Sequence, residues 1–193
     1  MQSKVDAPCP QCFEDGALMM LAMSSEIPYF GDHTQITVVC ESCGWKHTDF
    51  IPSDGEKPGY SCLVVDDEEK CLARVVRSSS CTIRIPELDL EVSPGGSSTG
   101  FVSNVEGVIN RFEDALGSII RGNADDTSVL EASLKLIEDL RNMKEGKSDF
   151  IIELLDPMGR SQIIHDEVEN RELLEKEKET LDMGPEVPVF DIV

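Results

Sequence analysis

The features this chain lacks narrow its chemistry first. No stretch approaches the roughly 18 consecutive apolar residues a membrane-spanning helix needs, and Met1-Gln2-Ser3-Lys4-Val5-Asp6 lacks the apolar centre of a secretion signal. A cytoplasmic protein with no membrane segment is expected. Cations are scarce: 17 Lys and Arg stand against 38 Asp and Glu, a formal net charge of -21. Affinity for a phosphate backbone comes from neutralisation by Lys and Arg and release of counterions. Residues 1–60 offer only Lys4, Lys46 and Lys57. Direct binding of nucleic acid or an anionic membrane is therefore disfavoured, and a basic or neutral partner is favoured. A salt-rich cytosol would select the same acidity whatever the partner. Three scattered histidines do not supply the His and Glu cluster of a metal-dependent β-barrel enzyme. Ser93-Pro94-Gly95-Gly96-Ser97-Ser98-Thr99-Gly100 lacks the Gly-Lys-Ser/Thr ending of a phosphate-cradling loop. No local signature marks a Cys-His nucleophile, so no enzymatic role is expected.

What is present is a set of cysteines. Of seven, four fall into Cys9-Pro10-Gln11-Cys12 and Cys40-Glu41-Ser42-Cys43. In a reducing compartment such pairs point to metal rather than to a disulfide framework. The 27 residues between them are enough for two strands and a turn to bring both knuckles to one ion. Four thiolates then close a tetrahedron around Zn²⁺ at about 2.3 Å and leave no position open for water or substrate. One structural Zn²⁺ is expected, with Gly44 easing the second turn. Thiol exchange needs a single pair at a helix N-terminus, whereas these pairs sit beside strands. His47, four residues after Cys43, is a possible substitute ligand and otherwise a strand residue. Trp45 either shields the site or stands exposed as a contact. Pro28, Tyr29 and Phe30 lie in a loop between the ligand strands, where aromatic anchors commonly dominate interfaces, although core burial explains them equally well.

A length of 193 residues suits one domain or two small ones, burying about two-thirds of the unfolded surface. Leu18–Met23 and Ile36–Val39 read as strands feeding ligands, with Ile27–Asp32 a loop between them. Ser61–Val65, Ala73–Arg77 and Cys81–Ile85 read as β. Val105, Val108, Ile109, Phe112, Leu116, Ile119 and Ile120 recur at helical spacing, behind a capping box at Ser103 and Glu106 and ahead of a stop at Gly122. Leu130, Leu134, Ile137, Leu140 and Met143 form a second stripe, starting near Ser128 and stopping at Gly146. Phe150–Leu155 and Gln162–Ile164 return to strand, around a turn at Asp156-Pro157-Met158-Gly159. Residues 165–193 carry ten acidic and three basic side chains and read as a tail, partly disordered or helical. The organisation is thus a zinc unit at 1–58, a β domain at 59–164 with a helical hairpin inserted at about 103–146, and the acidic tail.

Six ordered segments carry a resemblance: Cys-Pro-Gln-Cys at 9–12, Glu-Ile-Pro-Tyr-Phe at 26–30, Cys-Glu-Ser-Cys-Gly-Trp at 40–45, Arg-Ile-Pro-Glu-Leu-Asp at 84–89, Thr-Gly-Phe-Val-Ser-Asn-Val-Glu-Gly-Val-Ile at 99–109 and Asp-Pro-Met-Gly at 156–159. Together they resemble the ZPR zinc-finger family over residues 9–164. The resemblance implies a mainly β fold: a four-cysteine zinc ribbon followed by a double-stranded β-helix, or jelly-roll-like, domain with the hairpin inserted. It also implies zinc ligation by Cys9, Cys12, Cys40 and Cys43. Eukaryotic members carry two such modules in tandem and bind translation elongation factor one-alpha, assisting the folding of that GTPase; a single module resembles the archaeal form. The expected role is therefore a zinc-binding interaction protein for the elongation GTPase. The rival reading is a zinc-ribbon module of a transcription or RNA-related assembly, acting through protein contacts.

Overall fold

The computed structural model describes residues 1–53, 57 and 59–184. The chain opens with an antiparallel meander of four strands in sequence order: β1 (Gln2–Val5), β2 (Leu18–Ile27), β3 (Gly31–Cys40) and β4 (Lys46–Pro52). Alternation sorts the faces: Leu18, Met20, Val38 and Cys40 turn inward with Val5 and Cys9, while Leu21 and Met23 face out. The expected loop between β2 and β3 is a tight turn. Phe30 N–H donates to the Ile27 carbonyl at 3.0 Å, and Tyr29 has φ +67°. Pro28 suits the second position of such a turn, but the third normally takes Gly or Asn, so Tyr29 is placed there against its backbone preference.

The remaining strands form two further sheets. One orders β12 (Glu169–Glu172), β5 (Gly59–Val65), β10 (Phe150–Leu155), β7 (Thr82–Ile85) and β8 (Leu90–Val92). The other orders β11 (Gln162–Ile164), β6 (Arg74–Arg77) and β9 (Phe101–Asn104). Leu63, Val75, Ile83, Ile85, Ile152, Leu154 and Ile163 fill the space they enclose. The helical hairpin is α1 (Val105–Gly122) and α2 (Thr127–Lys144). Val105, Val108, Ile109, Phe112 and Leu116 of α1 and Leu140 and Met143 of α2 are buried in that core. The far end of the hairpin stands away from it, leaving Ile119 and Leu134 exposed. The caps lie elsewhere than expected: Asn104, not Ser103, accepts from Gly107 N–H, and Asp126 accepts from Ser128 and Val129. Asn, Asp and Ser cap about equally well, so position decides: Asn104 and Asp126 stand where the chain is still extended, directly before the first helical residue.

The stretch after residue 165, expected as a tail, is in large part docked. Strand β12 pairs with β5 from Glu169 opposite Cys62 to Glu172 opposite Gly59. The Arg171 guanidinium lies 3.6 Å over the Tyr60 ring and grips Glu177 through two bonds of 2.8 and 2.7 Å. Leu173 and Leu181 then bury against Tyr60 and Leu155. A short helix, α3 (Glu175–Lys178), lies between those two leucines. Glu-Asn-Arg-Glu has no apolar alternation because it is an edge strand held by backbone pairing and one cation–π contact. The last nine residues of the expected tail, 185–193, lie outside the described residues, as do 54–56 and 58 at the expected domain boundary.

Candidate metal centre

The two Cys-x-x-Cys turns sit at the same end of the meander because β1–β2 and β3–β4 each close there. In the register, Leu18 stands opposite Cys40, so the first knuckle is carried over the second. The knuckles share one backbone plan. Phe13 N–H donates to the Cys9 carbonyl at 2.8 Å, and Gly44 N–H donates to the Cys40 carbonyl at 2.9 Å. Each donor residue follows its second cysteine in a left-handed conformation, φ +61° at Phe13 and +76° at Gly44. Glycine adopts this at no steric cost, whereas Phe13 holds it with its ring 77% exposed.

All four Sγ atoms lie within 4.8 Å of one another. Cys9 and Cys43 are separated by 3.8 Å, and Cys12 and Cys40 by 3.7 Å. Sulfurs bonded to a central zinc at about 2.3 Å stand about 3.8 Å apart, far beyond the roughly 2.05 Å of a disulfide. The set therefore fits one structural Zn²⁺. Gln11 N–H, 3.4 Å from the Cys9 sulfur, supplies an amide of the kind that steadies metal-bound thiolates. Desolvation opposes ionisation of Cys9, but the N–H groups of Cys12 and Gln11 and the neighbouring thiols outweigh it and bring its pKa down to about 7. At Cys12 a Glu14 N–H favours the thiolate, yet desolvation and the three other thiols push the pKa up to about 12. Without a cation the cluster cannot ionise fully; a divalent ion resolves that conflict.

The other expected site residues separate. His47 is buried in β4, stacked on Trp45 at 6.1 Å with ring planes 10° apart, and is not in the sulfur cluster. Desolvation lowers its pKa. Trp45 is partly buried, packed against the cluster that contains Val5, Leu18 and Val38, as the packing reading expects. Phe30, expected as a contact residue, is corrected: it is 2% exposed and packs on Ile27 and Val76. Alternation out of a tight turn sends consecutive residues opposite ways. Tyr29 is accordingly 93% exposed, and Pro28 beside it is exposed too.

Residue-level reading missed a buried polar junction between the meander and the β domain. Asp156, fully buried, accepts from the hydroxyls of Ser78, Ser80 and Ser161 at 2.6–2.7 Å and from Met158 and Arg160 N–H groups at 3.0 and 2.9 Å. Asp49, projecting from β4, accepts from Ser79 N–H and hydroxyl at 2.9 Å each and pairs with Arg160 at 3.3 Å. Thr99 and Gly100 complete the joint by bonding both backbone groups of Thr48. A Cβ on Gly100 would stand 2.9 Å from Phe50 and 3.1 Å from the Arg77 carbonyl, so only glycine fits without displacement. Two of the six resembling segments, Thr-Gly-Phe-Val and Asp-Pro-Met-Gly, thus acquire a physical role; the run Ser78-Ser79-Ser80 was the available signal.

Comparison with known proteins agrees with this layout. Residues 3–54 match a family model described as the ZPR1 zinc-finger domain, and residues 69–182 one described as the ZPR1 jelly-roll domain. A ZPR1-like protein of Methanocaldococcus jannaschii is 39% identical over 176 residues, covering 91% of this chain and 88% of that one. A ZPR1-like protein of Pyrococcus horikoshii is 34% identical over 183 residues, covering 94% and 82%. A Schizosaccharomyces pombe protein named a zinc finger chaperone is 27% identical over 166 residues, covering 83% of this chain but 34% of its own length.

Proposed function

The chain belongs to the ZPR1 zinc-finger family, and from that premise we propose that it is a non-catalytic cytoplasmic binding protein that assists folding of the translation elongation factor one-alpha GTPase. Cys9, Cys12, Cys40 and Cys43 hold one zinc ion, which orders the N-terminal meander; the β domain, which begins at 59 and includes the docked strand β12, is its base. A closed four-sulfur shell is suited to holding structure rather than to activating water. The observation that carries the reading is the β2–β3 turn. Phe30, buried beneath it, and the Lys57 ammonium, bonded to the Phe30 carbonyl at 3.0 Å, fix the turn while Tyr29 stands outward. A large aromatic displayed on a pre-ordered turn loses little entropy on binding. The partner's identity rests on the family resemblance, and the chaperone role on the name of the fission yeast relative.

The test is titration of purified elongation factor one-alpha, in its GDP and GTP forms, into the zinc-loaded protein. Saturable binding of at least one form is expected, weakened about tenfold by Tyr29→Ala with unchanged melting, the size of a modest interface anchor. No binding of either form would refute the partner, and equal affinity of Tyr29→Ala would refute the surface.

A further inference from the structure

In the β domain, helix α1 and strands β6, β7, β8 and β9 line a cavity of about 240 Å³. Its walls are Ile83, Val92, Phe101 and Phe112, and its charged lining groups are two arginines, Arg77 and Arg111. In a chain with 38 acidic and 17 basic side chains, a lining with two cations and no carboxylate runs against the composition. The two differ in what holds them. Arg77 is buried, and three of its five N–H donors go to the Cys81 carbonyl, at 3.2 and 2.8 Å, and the Thr99 carbonyl, at 3.1 Å. Arg111 is exposed and stacks 4.0 Å over the Phe101 ring. Among the described residues it has no hydrogen-bond or ion-pair partner. Stacking leaves the guanidinium edge, with its fork of donors, unused.

We infer that this cavity binds a small amphipathic monocarboxylate, its apolar body among Ile83, Val92 and Phe112 and its carboxylate on the edge of Arg111. The volume suits a group of phenylalkyl size. A planar guanidinium pairs with a carboxylate through two parallel bonds. A single charge is selected because the molecule as a whole, at net -21, repels polyanions. The site stands apart from the partner surface at Tyr29, and neither reading depends on the other.

The experiment titrates 3-phenylpropionate and its neutral amide into the intact zinc-loaded protein, following backbone amide NMR shifts. The acid is expected to saturate, with a dissociation constant on the order of 1 mM for a ligand of its size, shifting Phe101, Val108 and Ala115. The amide is expected to bind about tenfold more weakly. Arg111→Gln, on an exposed helix face, should lower the acid's affinity about tenfold and leave the amide's unchanged, with Arg111→Lys recovering part of the loss. Equal affinities for acid and amide, acid shifts insensitive to Arg111→Gln, or no saturable shift around Phe101 would each overturn the proposal. Saturation by a peptide bearing adjoining Phe and Asp residues, but not by the free acid, would overturn the commitment to a small molecule.

Discussion

The meander and the β domain solve the same stability problem by different means. The β domain gathers 19 buried residues into one cluster, enough for hydrophobic burial to dominate its folding. The meander gathers six, two of them the cysteines Cys9 and Cys40, which is too little apolar area to order about 50 residues unaided. Metal supplies the difference in the one, and core packing in the other. The two meet through a mainly polar joint, made by Asp49, Asp156 and four serines beside the small apolar contact of Phe30 with Val76, so each unit keeps its own main support and the register between them is fixed largely by directional bonds.

The largest expected effect removes the metal from this comparison. Cys40→Ser should bind much less than one zinc per chain, and the meander should unfold, because structural zinc contributes about 10–16 kcal/mol of binding free energy to such units. Trp45, the one tryptophan, lies in the meander, so its fluorescence reads that unit while far-ultraviolet dichroism follows the helical hairpin. Stoichiometric zinc with an unchanged tryptophan transition would contradict the four-sulfur assignment.

Next in size is the hub. Asp156→Ala strands three buried hydroxyls and two N–H groups, a loss of roughly 3–5 kcal/mol. Calorimetry should then show the β-domain transition lowered by roughly 10 °C. Asp49→Ala should cost roughly 2 kcal/mol, since Ser79 and Arg160 lose their acceptor. Its more telling effect is qualitative: the tryptophan and dichroism transitions should separate, and transitions that remain superimposed would mean the joint does not couple the units.

A smaller effect is set by pH. Desolvation holds the His47 pKa below its unfolded value near 6.5. The unfolded chain therefore takes up the proton first, so this group's contribution is full above about pH 6.5 and is lost as pH falls toward the folded value. Protonation of the zinc thiolates acts in the same direction. Measured by Trp45 fluorescence, His47→Phe should flatten the decline between pH 6.5 and 5.5 without abolishing it. The smallest effect is at the turn: Tyr29→Gly should change stability by no more than about 1 kcal/mol, relief of the left-handed strain being offset by the entropy of glycine.

How much of this was legible in the sequence follows the range of the interactions. The cysteine pairs, the strands leading into them and the helical hairpin are written in local spacing, and the structure carries them with small shifts of boundary and cap. Strand β12 was not legible, because its four polar residues owe their place to backbone pairing with Gly59–Cys62 more than a hundred positions earlier. Nor was the junction, whose members at 48–49, 78–80, 99–100 and 156–161 are neighbours only once both units have folded. Phe30 and Tyr29 were legible as a pair of aromatics but not as one buried and one exposed, because that distinction depends on the turn geometry.

In this molecule metal holds the meander, and packing holds the β domain. Amide hydrogen exchange before and after zinc is removed by a chelator tests this most directly. Protection across Leu18–Ile27, Gly31–Cys40 and Lys46–Pro52 is expected to collapse while that of Gly59–Val65 and Phe150–Leu155 persists. Loss of protection in all five strands together, or in none, would contradict it.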